Sequence, residues 1–410
     1  MPYIQRAITP ILKQRVSTSK CMLLVGARQV GKSTLIKHEF KDFNRANFDD
    51  RLTRMQAKEE PKLFLLNNPQ PLFIDEVQKE SSILEDLKQI VDESDERGMF
   101  LLSGSQKLEL IKGMSESLAG RVSISELTGL SMREIYGVKF NRHFIPTDAY
   151  IKEREKEIVK YDNIWEIIHK GSYPELYDID RDWQEYYSSY VATYLERDIN
   201  ELVAADGITF TKFLMAVAAR TGELLNYSNI AGDVGVSEPT IKNWISILER
   251  TGIVYLLQPY SASALKRAIK TPKLYFRDTG LACYLTRWLT AETLKCSAVA
   301  GNMFETFVVS EILKSYSNEG KDYRFNIFYY RGKDRNASGE NEIDLVIEED
   351  GVLYPVEIKM SGNPKASMGA TNQVLDKVSD KKRGLGVILC LIDKKTYLRE
   401  NLVALPIEFI

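Results

Sequence analysis

The chain has 410 residues, of which 44% are hydrophobic and 27% are charged, and its formal net charge at pH 7 is −2. This is the composition of an ordinary soluble globular protein, and the length predicts about two to four domains. A nearly neutral chain has no global attraction to nucleic acid or to an anionic membrane, so any such contact depends on local patches.

The first motif is a loop bounded by glycines, between an apolar run and a helix-like segment. The run Cys21 to Val25 precedes residues 26–33, which read GARQVGKS. Glycines at both ends let backbone N–H groups point at phosphate oxygens, while Lys32 reaches the β- and γ-phosphates and Ser33 holds Mg²⁺. The motif therefore predicts an ATP-binding P-loop. Its predicted nucleotide-binding residues are Gly26, Gly31, Lys32, Ser33 and Thr34.

A second apolar run, residues 71–74, ends in Asp75 and Glu76 and predicts a buried strand followed by two acids. We expect Asp75 to bind the Mg²⁺ held by Ser33, and Glu76 to orient and polarise the attacking water. Together with Lys32, Glu76 would carry catalysis. Two motifs in this order favour hydrolysis of ATP over binding alone.

A third apolar run, residues 99–102, leads into Ser103 and Ser105. Either serine can serve as a sensor beside the phosphates, but serine is also common in plain turns. Arg121 precedes a strand-like run, residues 122–127, and is a candidate catalytic contact to the γ-phosphate of its own or a neighbouring subunit. A surface salt bridge is the alternative for Arg121.

Along nearly its whole length, the chain resembles bacterial and archaeal AAA-type ATPases that pair an N-terminal ATPase with a C-terminal domain of unknown function. The resemblance rests on residues 26–34, 74–78, 103–105, 171–175, 194–199, 270–276 and 278–281. It implies an α/β fold with a parallel P-loop sheet and ATP binding. Homo-oligomers are common among AAA-type proteins, and a homo-oligomer is possible here.

The middle of the chain is predicted as a helical region, residues 151–205, followed by a winged helix, residues 206–290. In the helical region, Arg197 and Asp198 form either a second sensor pair or a buried ion pair. Ser237 predicts the N-cap of a helix whose apolar face is Ile241, Trp244, Ile245 and Leu248. The predicted DNA-contacting residues are Lys242 and Asn243 on the outer face of that helix, with Lys266, Arg267 and Lys270 in the following loop. Winged helices also serve as protein-binding lids, so both alternatives remain.

The last predicted domain, residues 291–410, contains a second chemical site. Residues 301–316 predict a helix in which Glu305 shares the apolar stripe, whereas Thr306, Ser310 and Lys314 form the polar face. Residues 341–347 and 353–359 predict a hairpin in which Glu357 and Lys359 share one face. We expect Glu305, Asp344 and Glu357 to converge on a divalent metal, and Lys359 to position or deprotonate a water that attacks a phosphodiester.

The arrangement of Asp344 with Glu357 and Lys359 resembles the PD-(D/E)-x-K nuclease fold of restriction enzymes and Holliday-junction resolvases. The residue before Asp344 is isoleucine instead of proline. The resemblance implies an α/β restriction-endonuclease-like domain that uses Mg²⁺ or Mn²⁺, with Arg331 as a candidate phosphate contact. An ordinary amphipathic hairpin, or a domain that binds DNA without cutting it, are the alternatives.

Cysteine usage and hydropathy predict the compartment. Cys21, Cys283, Cys296 and Cys390 form no C-x-x-C pair and lie among apolar residues, which predicts buried free thiols. The N-terminus lacks the apolar segment of a secretory signal, and the longest later apolar run, residues 387–392, is too short to cross a bilayer. We therefore expect a cytoplasmic protein that binds ATP and DNA and makes no membrane contact; the alternative is an ATP-dependent regulatory switch that holds a protein or DNA partner without cleavage.

Overall fold

A computed structural model describes residues 3–104, 118, 120–177, 181–199, 206–261, 271–333, 340–378 and 380–410. Ser105 and the loop residues Lys266, Arg267 and Lys270 lie outside the described residues, so their predicted roles stay predictions.

The first part of the chain forms a five-stranded parallel sheet in the order β5-β1-β4-β3-β2. Its strands are β1 (Cys21–Val25), β2 (Asn44–Asn47), β3 (Leu72–Asp75), β4 (Phe100–Gly104) and β5 (Val122–Glu126). The central strands β1, β3 and β4 are buried along their whole length, as in parallel sheets with covered faces. The accompanying helices are α1 (Thr9–Thr18), α2 (Lys32–Glu39), α3 (Arg51–Glu59), α4 (Pro61–Asn67) and α5 (Ile83–Glu93).

A helical segment follows the first sheet. It comprises α6 (Met132–Ile135), α7 (Asp148–Arg154), α8 (Ile164–Lys170), α9 (Trp183–Tyr190) and a π-helix (Val191–Ile199), with short 3-10 turns at Glu155–Glu157 and Pro174–Tyr177. Tyrosines dominate its interior: Tyr173, Tyr186, Tyr187 and Tyr190 are buried against one another. This interior supports the loop of residues 171–174, which lies beside the P-loop.

Three helices and a small antiparallel sheet come next. The elements are α10 (Gly207–Ala218), β6 (Glu223–Leu224), α11 (Tyr227–Val234), α12 (Glu238–Arg250), β7 (Val254–Leu257) and β8 (Lys273–Phe276), with strand order β6-β8-β7. As predicted, Ser237 caps α12, because its side chain accepts a hydrogen bond from Thr240 N. The apolar face of α12 is buried, and Trp244 packs edge to face on Phe210 and Phe213, so it belongs to the core.

The C-terminal part is built on a seven-stranded mixed sheet. After α13 (Thr279–Leu285), α14 (Ala291–Lys295) and α15 (Ala300–Asn318) come β9 (Ile327–Lys333), β10 (Glu340–Glu349), β11 (Val352–Lys359), β12 (Lys382–Arg383), β13 (Gly386–Cys390), β14 (Thr396–Arg399) and β15 (Leu402–Pro406). The main order is β14-β15-β13-β11-β10-β9, and β12 also pairs with β11. Strands β9, β10 and β11 form an antiparallel meander, whereas β13 runs parallel to β11.

Helix α15 is buried around nearly its whole circumference, and this includes the predicted polar face of Thr306, Ser310 and Lys314. Thr306 hydrogen-bonds Thr221, Ser310 donates to Arg277 O, and Lys314 pairs with Glu311 and donates to Leu130 O. Thr221, Arg277 and Leu130 lie outside the C-terminal region, whereas Glu311 belongs to α15 itself. The polar side chains of α15 therefore hold the regions together.

The fold is thus mixed α/β: a parallel P-loop-type sheet followed by further helical and sheet regions. None of the described helices is long and apolar enough to cross a membrane. Cys21, Cys283 and Cys390 are buried free thiols, as predicted, but Cys296 is exposed because it directly follows the short surface helix α14.

Candidate functional site

The P-loop connects β1 to α2, and glycine is required at its two ends for different structural reasons. A Cβ on Gly26 would lie 2.2 Å from Leu127 O, so only glycine fits against the residue that follows β5. Gly31 is the N-cap of α2 with φ +93°, a left-handed conformation that favours glycine. Both glycines are therefore needed to bring the loop to the N-terminus of α2.

Lys32 is 6% exposed and bends back over the loop. Its Nζ donates to Gly26 O at 3.0 Å and to Ala27 O at 2.9 Å. Burial lowers the pKa of Lys32, while the nearby Glu76 and Asp75 carboxylates oppose that shift. The ammonium thus sits between the P-loop and the acids of β3, where a phosphate group would meet it.

The acids at the end of β3 are held by neighbouring side chains. Ser103, fully buried at the end of β4, donates a hydrogen bond to Asp75 Oδ1. Glu76 has φ +53°, a strained conformation for a non-glycine residue, and its carboxylate accepts a hydrogen bond from Gln78. Because β4 lies between β1 and β3, Ser103 orients the acid that faces the P-loop.

A buried ion pair that the sequence did not predict fixes the other side of the P-loop. Arg6 is 3% exposed; its Nε lies 3.0 Å from Glu134 Oε1 and its Nη1 donates to Val30 O at 2.8 Å. A further nitrogen donates to Thr128 O at 2.7 Å. Glu134 also closes a capping box with Ser131 at the start of α6. Arg6 therefore ties the P-loop to the segment after β5.

Arg121 does not reach the P-loop of its own chain. Arg121 directly precedes Val122, the first residue of β5, and Val122 pairs with Cys21 at the start of β1. The P-loop follows the opposite end of β1. The side chain of Arg121 pairs with Asp92 on α5 and is 39% exposed. Arg121 therefore forms a surface salt bridge and does not reach the nucleotide site of its own chain in this structure; its predicted contact with the γ-phosphate of a neighbouring subunit stays a prediction.

The P-loop also contacts the helical segment. The Arg28 guanidinium lies 5.5 Å from the ring centre of Tyr194 in the π-helix. The side chains of Arg197 and Asp198, further along that helix, lie outside the described part of the chain, so their sensor or ion-pair role stays open.

Asp278 joins two of the sequence phrases that carry the family resemblance. It accepts hydrogen bonds from Ser172 N and Oγ at 2.6 and 2.8 Å, from Tyr187 OH at 2.6 Å and from Leu281 N at 2.7 Å. The neighbouring Arg277 pairs with Glu126 at the end of β5. The start of α13 thus connects the small antiparallel sheet to the ATP-binding edge of the first sheet.

The outer face of α12 presents little free positive charge. Lys242 and Asn243 are exposed, as predicted, but Lys242 Nζ lies 2.8 Å from Glu238 Oε1 and 5.4 Å from the Tyr227 ring centre. An exposed pair of this kind contributes little stability and can re-form with another anion.

At the C-terminal site, Asp344, Glu357 and Lys359 meet as the hairpin predicts. Lys359 Nζ lies 2.8 Å from Asp344 Oδ2 and 2.8 Å from Glu357 Oε2. Ile358 N also donates to Asp344 Oδ2 at 2.8 Å, which fixes this carboxylate on β11. The side chains of Glu357 and Asp344 are 4% and 11% exposed, whereas that of Lys359 is 35% exposed. Lys359 is therefore the member of the site that solvent reaches.

The charges of this cluster act on one another. Burial raises the pKa of Glu357 to about 8, Asp344 adds to the rise, and Lys359 opposes it. Burial alone would lower the pKa of Lys359, but Asp344 and Glu357 outweigh it and raise that pKa. Lys359 is therefore held as an ammonium, so of its two predicted roles the positioning of water fits better than its deprotonation.

Glu305 does not join the other two acids in a metal-binding group, which corrects the prediction of three converging carboxylates. Its Oε1 accepts from Tyr275 OH at 2.6 Å and from Lys273 Nζ at 3.3 Å, both on β8. Among the described residues, no three His, Cys, Asp or Glu side chains are close enough to hold a metal ion. The sequence could not reveal this because β8 belongs to a different predicted domain.

The donor chemistry of Asp344 and Glu357 nevertheless fits a hard divalent cation. Glu357 Oε1 is buried and has no hydrogen-bond partner in the described part of the chain. Carboxylate oxygens are the ligands that Mg²⁺ and Mn²⁺ prefer, and an unpartnered buried oxygen is a candidate ligand atom.

Three family models match successive parts of the chain. Residues 18–136 match the AAA domain, residues 161–292 match a domain of unknown function (DUF8612), and residues 300–410 match a domain of unknown function (DUF4143). Together with the P-loop geometry, the first match supports an AAA-type ATPase domain and ATPase activity in general. The other two matches carry no activity.

Similar proteins extend over most of the chain. The uncharacterized proteins Rv2008c of Mycobacterium tuberculosis and Mb2031c of Mycobacterium bovis are each 27% identical over 372 residues, covering 89% of this chain and 76% of theirs. Among solved structures, the Walker-type ATPase PABY2304 of Pyrococcus abyssi is 15% identical and covers 68% of this chain and 94% of that chain, with a TM-score of 0.39. AMPPCP-bound DnaA from Aquifex aeolicus is 14% identical and covers 59% and 85%, with a TM-score of 0.26. These TM-scores are too low to carry an inference about this chain.

Proposed function

We propose that the chain hydrolyses ATP in a Mg²⁺-dependent reaction and that this reaction serves a DNA-directed, metal-dependent phosphodiesterase in its C-terminal region. The observation that carries the first half is the position of Lys32 between the P-loop carbonyls and the acids of β3. Lys32 binds the β- and γ-phosphates, and Ser33 and Asp75 hold the Mg²⁺ that neutralises phosphate charge. Ser103 orients Asp75, and Glu76 orients the attacking water.

Phosphate release from ATP tests this half. We expect Asp75→Asn and Glu76→Gln each to lower turnover about a hundredfold or more, because each removes a charged group that acts directly on the reaction. Glu85→Gln, which removes an exposed carboxylate on α5, serves as the control and should turn over ATP like the wild type. Equal turnover in wild type and Asp75→Asn would contradict the proposal.

The second half rests on the contact of one lysine with two carboxylates at the C-terminal site. Asp344 and Glu357 would hold a Mg²⁺ or Mn²⁺ ion, which supplies a Lewis acid at a phosphodiester oxygen. Lys359 keeps its proton, because its pKa is raised, and positions a water or stabilises charge that develops on the phosphate. Its partial exposure leaves it accessible to a phosphate group.

The three helices and the antiparallel sheet of the middle region have the order of elements expected of a winged helix, and we propose that they contact DNA. Lys242 and Asn243 lie on the exposed face of α12. Lys266, Arg267 and Lys270 would track the phosphates. Because such contacts are electrostatic, DNA affinity should fall steeply as salt rises.

Cleavage of single-stranded, duplex and branched DNA, with Mg²⁺ or Mn²⁺ and with or without ATP, tests the second half. Lys359→Ala should abolish cleavage, whereas Lys381→Ala, which removes another lysine paired with a carboxylate of β10, should not. Cleavage that survives in Lys359→Ala would exclude this site as its source.

A regulatory switch without cleavage is the second candidate function. It is favoured by the contacts of Glu305 with Lys273 and Tyr275, which leave only two acids beside Lys359. Retention on DNA-cellulose at low salt, together with no cleavage under any condition, would favour a DNA-binding switch. No retention and no cleavage would favour a protein-binding switch.

A further inference from the structure

We propose that Lys273 is a tethered cation of the C-terminal site, which occupies Glu305 and Glu342 in the metal-free protein and competes with a divalent ion for them. The inference rests on the proposed metal site at Asp344 and Glu357. It adds Lys273, a residue of the middle region, to that site. In the metal-free protein Lys273 would block the access of a divalent ion to Glu305 and Glu342.

The contacts of Lys273 are those of a built ion cluster. Its Nζ lies 2.6 Å from Glu342 Oε1 and 3.3 Å from Glu305 Oε1, and its side chain is 5% exposed. Two residues along β8, Tyr275 donates to the same Glu305 oxygen at 2.6 Å. A single strand thus contributes both the cation and the hydroxyl group that hold Glu305.

The cluster around Lys273 continues along β10 into the cluster around Lys359, because Glu342, which contacts Lys273, and Asp344, which contacts Lys359, lie two residues apart on this strand. Burial alone would lower the pKa of Lys273, but Glu305, Asp344 and Glu342 outweigh burial and raise it. Burial is the largest cause of the raised pKa of Glu305, and the Asp344 carboxylate is the next largest. Lys273 therefore interacts with an acid that contacts Lys359, so the two lysines neutralise parts of one acidic cluster.

The charge of this joint cluster leaves room for a divalent ion. Its four carboxyl groups belong to Glu305, Glu342, Asp344 and Glu357, and its two ammonium groups belong to Lys273 and Lys359. With all six groups ionised, four negative and two positive charges give a formal balance of −2, which one divalent cation neutralises. In the metal-free protein the raised pKa of Glu357, about 8, leaves that carboxyl largely protonated at pH 7, so binding of the ion there would release its proton. Buried charges need such compensation.

Solvent reaches Glu342, the partner of the buried Lys273, through an open groove between the middle and C-terminal regions, and both residues line this groove. Its walls include Arg220, Asn226, Asn229 and Arg331. The side chain of Glu342 is 38% exposed on this side. An ion that enters by the groove meets the carboxylates that Lys273 holds, so release of Lys273 frees ligands at the point of entry.

Binding of Mn²⁺ without nucleotide, followed by the electron paramagnetic resonance signal of free Mn²⁺, tests the inference on the full chain. Lys273→Met removes the charge and keeps most of the side-chain length, and we expect it to bind Mn²⁺ about tenfold or more tightly than the wild type, because a competing positive charge is gone. Lys273→Arg keeps the charge and should bind within about twofold of the wild type. Lys381→Met is the matched control, since Lys381 pairs with Glu348 on the same strand.

The outcomes separate this inference from the proposed function. Equal Mn²⁺ affinity in wild type and Lys273→Met, with binding lost in Asp344→Asn, would overturn the tethered cation and leave the metal site standing. Absence of Mn²⁺ binding in the wild type and in every Lys273 variant would overturn both. If circular dichroism shows that Lys273→Met does not fold, Lys273→Gln, which can still hydrogen-bond Glu305, replaces it with the same expectation.

Discussion

Replacing Arg6 by methionine should both destabilise the ATPase domain and weaken nucleotide binding. The guanidinium is 3% exposed, pairs with a Glu134 side chain that is 1% exposed, and donates to Val30 O in the P-loop. Removing one partner of a buried ion pair leaves the other charge uncompensated and costs about 3–5 kcal/mol. We therefore expect Arg6→Met to lower the free energy of unfolding by that amount.

Urea denaturation followed by circular dichroism measures this loss. Arg6→Met/Glu134→Gln removes both charges and keeps an amide oxygen that can accept from the backbone at the start of α6, so it should recover a large part of the stability lost in the single variant, because no buried charge is left unpaired. Arg142→Met breaks an exposed pair with Glu153 and should change stability by about 1 kcal/mol or less.

Nucleotide affinity then separates positioning of the P-loop from stability alone. The double variant should regain stability but still bind ATP weakly, because Val30 O has lost the donor that fixes the loop. A single variant as stable as Arg142→Met, or a double variant with wild-type ATP affinity, would refute the proposed role of Arg6.

Three further predictions concern positions where the structure fixes one chemical choice. Gly26→Ala should abolish ATP binding, because the new Cβ would lie 2.2 Å from Leu127 O. Gly232→Ala is the control and should bind ATP normally, since Gly232 has open space around it. Equal ATP affinity of the two variants in calorimetry would contradict this prediction. Asp278→Asn should lower the free energy of unfolding by about 1–3 kcal/mol, because the new amide N–H₂ group faces the buried donors that Asp278 accepts from. The control is Asp233→Asn, which changes an exposed ion pair. A loss of stability no larger than in the control would argue against Asp278 as a buried hydrogen-bond acceptor. The pKa of Glu357 is raised from 4.5 to about 8, so between these pH values the folded chain binds more protons than the unfolded chain. In the presence of chelator, the stability of the wild type should therefore fall relative to that of Glu357→Gln as the pH rises from about 5 to 8. Parallel stability profiles of wild type and Glu357→Gln would show that burial does not shift this group.

The features that the sequence predicted are local in the chain. An apolar run followed by GARQVGKS gives β1, the P-loop and α2, and the apolar run before Asp75 gives β3, because strand burial and loop geometry depend on neighbouring residues. The hairpin of β10 and β11 was equally accessible, since alternation places Glu357 and Lys359 on one face.

The features that the sequence missed depend on partners far away in the chain. Arg6 meets Glu134, and Asp278 meets Ser172, and no local pattern marks either pair. The polar side of α15 has the spacing of a solvated face, yet it is buried against other regions. Glu305 was correctly read as turned inward, but its partners, Lys273 and Tyr275, come from a strand of another predicted domain. A family resemblance marked the phrases around Ser172 and Asp278 without revealing that they touch.

The most direct test of two separate sites is to measure ATP hydrolysis and DNA cleavage on the same preparations of wild type, Asp75→Asn and Lys359→Ala. We expect Asp75→Asn to lose ATP hydrolysis and, in a parallel titration, to keep Mn²⁺ binding at the C-terminal site, whereas Lys359→Ala should lose DNA cleavage and keep ATP hydrolysis. Equal effects of the two substitutions on both activities would contradict two independent sites.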